Sequence, residues 1–138
     1  MDNHAGRVLV VWEEGFAFTA RPSWVRSFMP DSGELGEPVQ LTAPDEAQAC
    51  SRLVSAPSGR VALVRSRGHS FERDWVTEVS LSDDGGRTFG APSVVDVIDP
   101  GAGCPAAGLA PYGDLYLAWT RDPSELRVSH GKPVRPCE

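Results

Sequence analysis

Apolar residues in this chain occur in short, dense runs bounded by polar or turn-forming residues, and several of the runs are opened by a glycine. Three of the runs are alike: Gly6–Glu13 reads GRVLVVWE, Gly59–Ser66 reads GRVALVRS and Gly113–Thr120 reads GDLYLAWT. They start 53 and 54 residues apart. A glycine turn followed by a β-branched apolar run predicts a buried strand. Trp12 and Trp119 share one register, where the middle copy has Arg65. Proline and glycine interrupt every window that could carry a helix-period pattern, so no helix of useful length is expected.

The flanks repeat as well. Cys50 and Cys104, Asp45 and Asp99, Ala56 and Ala110, and Pro57 and Pro111 are each 54 residues apart. Trp24-Val25 matches Trp75-Val76, and Gly36-Glu37-Pro38 matches Gly90-Ala91-Pro92. In the middle unit the pattern predicts four strands, around Ser51–Ala56, Val61–Arg65, Trp75–Leu81 and Ser93–Val97. Four short antiparallel strands per 40–50-residue period is the sequence signature of a propeller blade. The expected fold is therefore all-β, an incomplete β-propeller of four-stranded antiparallel blades. It forms one domain of three units, 1–44, 45–98 and 99–138, with only the middle unit complete. The first unit is expected to start at a second strand, since nothing before Gly6 reads as a first. The third fades after Leu126–Ser129. A ring needs at least about four blades.

The most specific segment is Ser82–Phe89, SDDGGRTF, which fits Ser-x-Asp-x-Gly-x-Thr-aromatic at every defined position. Here the chain resembles the Asp-box (BNR) repeat propellers, among them sialidases and sortilin-like receptors. Asp84 can accept bonds from backbone N–H groups of its own turn. Gly86 supplies positive φ, Ser82 and Thr88 can bond across the turn, and Phe89 can anchor it in the apolar layer. A calcium or catalytic carboxylate site on Asp83 and Asp84 is the competing reading. Local bonding accounts for these residue types, so a structural turn is expected. The first unit keeps Asp31 and Gly33 but has Met29 and Leu35 where Ser and Thr belong, and the third has Gly131 and Pro133 at the Ser and Asp places.

A sialidase-like enzyme implies three arginines gripping a carboxylate, a Tyr–Glu nucleophile pair, an Asp acid and an aromatic-Arg-Ile-Pro segment. Ala20-Arg21-Pro22 is the nearest match to the last, and Tyr112 falls in a turn on the wrong face. The catalytic set is incomplete, and fold is not function. The expected function is a non-catalytic binding or scaffold module, with a piece or remnant of a sialidase-like glycoside hydrolase as the alternative. A ligand face would be built from the loops between fourth and first, and second and third, strands. Its candidates are Asp45, Asp99, Arg52, Arg65 and His69. Such a set suits carbohydrate or peptide, although a plain solvated rim accounts for it more simply. Arg52 and Arg65 are odd inside strand patterns; either faces a channel or an anion, or snorkels outward. Cys50 and Cys104 stand at matching entrances to successive strands. They are either a bridge between blades or two small semi-buried thiols; the thiols are favoured, because equivalent sites on adjacent blades often exceed the roughly 7 Å Cα limit for a disulfide.

Composition narrows the partners. The 138 residues carry a formal charge of −6 without any Lys/Arg run, which disfavours nucleic acid and anionic membrane surfaces. The third cysteine, Cys137, forms no CxxC with the others and no histidine stands at ligand spacing, so neither a metal nor another cofactor is expected. The opening MDNHAGRVLV does not read as a secretory signal, while the resemblance favours an extracytoplasmic parent. Too few blades to close a ring leads to the expectation of self-association, or of a partner that supplies more.

Overall fold

The computed structural model describes residues 7–14, 22–41, 47–68, 75–99 and 102–131. Eleven strands and no helix occur among them. The first sheet contains β1 (Val8–Glu13), β2 (Ser23–Met29), β3 (Glu34–Leu35) and β4 (Val39–Gln40), with β3 and β4 both paired to β2. The second runs β5 (Ala47–Ser55), β6 (Val61–Gly68), β7 (Val76–Ser82), β8 (Ser93–Val97) in sequence order. The third is β9 (Ala106–Leu109), β10 (Leu115–Asp122) and β11 (Glu125–Gly131). All pairings are antiparallel. The protein is thus all-β, built from antiparallel sheets of three or four strands, and the described residues do not close into a ring. The four strands expected of the middle unit are all present, within a few residues of their expected bounds.

The second sheet lies between the other two. Its strand β6 is buried along almost its whole length, on both faces. Ala62 and Val64 point one way and join Trp75, Ile98, Leu115, Leu117 and Trp119 in the main core, between the second and third sheets. Alternation turns Val61, Leu63 and Arg65 the opposite way, toward the first sheet, where Arg65 reaches the Leu41 carbonyl at 2.7 Å. A strand buried on both faces cannot alternate apolar with polar, which is why β6 reads as a continuous apolar run.

Neighbouring sheets approach most closely along one edge, where β5 packs on β9 and β1 packs on β5. Cys50 and Cys104 sit on that edge, with Cα atoms 5.3 Å apart, and are joined by a disulfide. This corrects the expectation of two separate thiols. Equivalent sites on stacked sheets are far apart where the sheets fan out, but come within bridging distance where they converge. Cys50 has φ 63° and lies in the irregularity of β5 between Ala49 and Arg52.

Candidate functional site

At one end of the second sheet, the turn after β7 is organised by its own side chains. The Ser82 hydroxyl donates to Asp84 Oδ1 at 2.7 Å and accepts the Gly86 N–H at 2.8 Å. The Thr88 N–H donates to Asp84 Oδ1 at 2.9 Å, and the Thr88 hydroxyl to Oδ2 at 2.5 Å. Burial alone would raise the Asp84 carboxyl. The Thr88 hydroxyl and N–H, the Ser82 hydroxyl and the Arg87 N–H outweigh it and hold the group at about 2, below an ordinary 3.8. Asp83 points elsewhere, to Arg60 Nε at 2.7 Å, and is mostly exposed.

The turn also touches the first sheet. Gly86 has φ +86°, and a Cβ there would run into the Leu9 side chain; glycine is required for both reasons. The Gly85 carbonyl accepts a long 3.4 Å bond from Arg7 Nη1. Phe89 is half-buried. All five residues of the motif, Ser82, Asp84, Gly86, Thr88 and Phe89, are therefore in one turn, and the polar ones among them bond to each other.

Of the five candidate ligand-face residues, three are described, and they differ in exposure. His69 and Asp45 lie outside the described residues. Arg52 is exposed on β5, beside an open groove lined by Trp12, Glu13 and Ser51. Asp99 is exposed beyond β8, its N–H donating to the Arg121 carbonyl at 2.7 Å. Arg65 is not on an accessible face. It is 4% exposed, and its Nε donates to Glu78 Oε1 at 2.6 Å. Glu78, 1% exposed, also accepts from Arg67 Nε through its other oxygen at 2.6 Å. The cause lies in the register: Arg65 and Glu78 are direct partners across β6 and β7, so both side chains emerge on the same face.

Three further contacts tie the sheets together and have no distinct sequence signal, because each joins residues whose spacing carries no pattern. Glu13 Oε1 accepts the Ser51 N–H at 3.1 Å and the Ser51 hydroxyl at 2.8 Å. The Trp119 indole donates to Asp96 Oδ2 at 2.9 Å. Arg127 lies 3.4 Å from the same Asp96 oxygen. Glu78 was open to inference only in hindsight, as the one acid in a strand facing an arginine that replaces tryptophan.

Chemically, these groups are matched hydrogen-bond pairs and ion pairs rather than a nucleophile with its base. Among the described residues, no group of three or more His, Cys, Asp or Glu side chains is placed to hold a metal ion. No protein-family model matches the chain, and no curated protein matches it in sequence.

Proposed function

We propose that this chain is a non-catalytic binding or scaffold module made of stacked Asp-box-type blades, which associates with a second copy or with a partner that supplies further blades. One observation carries the reading. Strand β6 of the middle sheet is covered on both faces, while β1 of the first sheet and β11 of the third present apolar residues to solvent. On the third sheet Leu126 is 69% and Val128 71% exposed, and Tyr116 lies on the same side. On the first, Val8 and Val10 are close to half exposed. A blade-like sheet buries its faces only against its neighbours, and isolated exposed apolar residues would not be aligned in this way.

The pattern is directional. Val8 and Val10 hold the repeat positions of Val61 and Leu63, which face the preceding sheet. Tyr116 holds that of Ala62, which faces the following one. The two free faces are therefore the two halves of an interface the chain already contains, and a head-to-tail copy would reuse it. On this reading a carbohydrate or peptide ligand would sit at the end away from the Ser82–Phe89 turn, where Asp99 is exposed. No observation favours the glycosidase alternative, since Arg65 is committed to Glu78 and Tyr112 stands on an exposed turn.

Sedimentation velocity across micromolar concentrations tests the reading. Concentration-dependent association is expected. A cooperatively folding monomer at every concentration would refute it.

A further inference from the structure

Strand β1 pairs with β2 along one edge, and among the described residues no strand pairs with its other edge. Beside that open edge runs a groove of about 590 Å³, lined by Arg7 and Leu9 on one side and by Leu53, Ser55 and Val61 on the other. The repeat shows what fills the corresponding place one unit later. There β5 pairs with β6, the counterpart of β1, and at the same time packs on β9, the counterpart of β5. Val54, opposite Ala62, is the residue that enters the space, packing against the core cluster on which Ala107 and Leu109 also pack. Ala107 and Leu109 are 54 residues after Leu53 and Ser55, and Ala62 is 53 after Leu9. Every wall of β5's seat thus has a counterpart around the groove.

From this correspondence we infer that the groove is an acceptor site for an extended peptide strand of the β5 type, bound antiparallel to β1. A β-branched apolar residue of the strand lies opposite Leu9 and packs on Leu53 and Ser55. Main-chain bonds to the open edge supply affinity, and the groove selects the side chain that enters it. Arg7 adds a polar determinant at one end. Its equivalent, Arg60, is paired with Asp83, but Pro30 stands at the matching place in the first unit. The Arg7 Nε–H is buried without an acceptor, so an acceptor on the incoming strand is favoured there. The inference identifies a partner chemistry for the scaffold proposed above and rests on the same repeat.

The probe is a labelled synthetic peptide with the sequence of residues 51–58, added to the full chain below its association range. Fluorescence anisotropy reports binding, and amide hydrogen exchange reports its place. Saturable binding is expected, with new protection along Val8–Trp12. Binding should weaken at least tenfold for the protein variant Ser55→Lys, whose exposed position leaves folding intact, and for a peptide carrying Val54→Asp. No saturable binding, protection elsewhere, or equal binding by Ser55→Lys would overturn the inference. Missing peptide binding with association intact removes the groove alone. Peptide binding in a chain that never associates removes the scaffold reading and leaves the groove standing.

Discussion

Two carboxylates show how little a residue's type says about its task until its neighbours are known. Asp84 is held at about 2 by four hydrogen-bond donors of its own turn. Its folded-state pKa lies below the ordinary 3.8, so its stabilising effect is complete well above pH 4 and fades as pH falls from there through about 2. Allowing for partial solvent exposure, that effect is on the order of 1–2 kcal/mol. Asp84→Ala, which also strands the donors, should cost about 1–3 kcal/mol at neutral pH. Urea denaturation checks both: the gap between wild type and Asp84→Asn should be present at pH 7 and narrow at pH 2. Glu78 is the opposite case, a buried acid held between Arg65 and Arg67. Glu78→Gln leaves the Arg65 charge buried without its counter-ion, and a loss of about 3–5 kcal/mol is expected. The double variant Arg65→Met with Glu78→Leu should be less destabilised than Glu78→Gln alone, because apolar replacements have no desolvation cost to recover. A double-mutant cycle by chemical denaturation decides the matter.

Between elements, the disulfide is the strongest single constraint. Cys50 and Cys104 link the second and third sheets across 54 residues of chain. A loop of that length, closed in the unfolded state, corresponds to about 4 kcal/mol in the chain-entropy account. Reduction, or Cys50→Ser with Cys104→Ser, should lower the melting temperature clearly while leaving the far-ultraviolet spectrum of a β protein. The hydrogen bonds of each sheet are internal to it and do not depend on the bridge. By contrast, the Ser82–Phe89 turn acts within its own sheet and on the first, through Gly86 and Leu9. Each sheet boundary therefore has its own fastening: a turn and the Glu13–Ser51 bonds on one side, a covalent bridge and the Asp96–Trp119 bond on the other.

At the scale of the whole molecule, stacking leaves a surface at either end that the interior of the same molecule would bury. Leu126 and Val128 follow the alternation of a core-facing strand yet stand in solvent. Val128→Lys places a charge on this face without disturbing a buried group. Thermal stability of the separated chain should change by no more than about 0.5 kcal/mol, whereas association measured by sedimentation should fall at least tenfold. If association persists unchanged, a different surface mediates it.

Much of this architecture was legible in the order of residues, because it is governed by interactions between near neighbours. Alternation and β-branching mark the strands, glycines at positive φ mark the turns, and the bonds of Ser82, Asp84 and Thr88 close within seven residues. Repetition made the signal stronger, since one weak pattern seen at a constant spacing is a strong one. Which way each strand faces its neighbours was left undetermined. Arg65 read as a candidate ligand group, and only the pairing of β6 with β7 and the cover of the first sheet turned it into half of a buried ion pair. For Cys50 and Cys104 the sequence left a bridge and two separate thiols both open, and the convergence of β5 and β9 decided for the bridge. Local sequence determined the strands and turns because their energies are local. The tertiary structure decided burial, pairing and exposure, because those depend on distances between sheets that no short stretch of chain encodes.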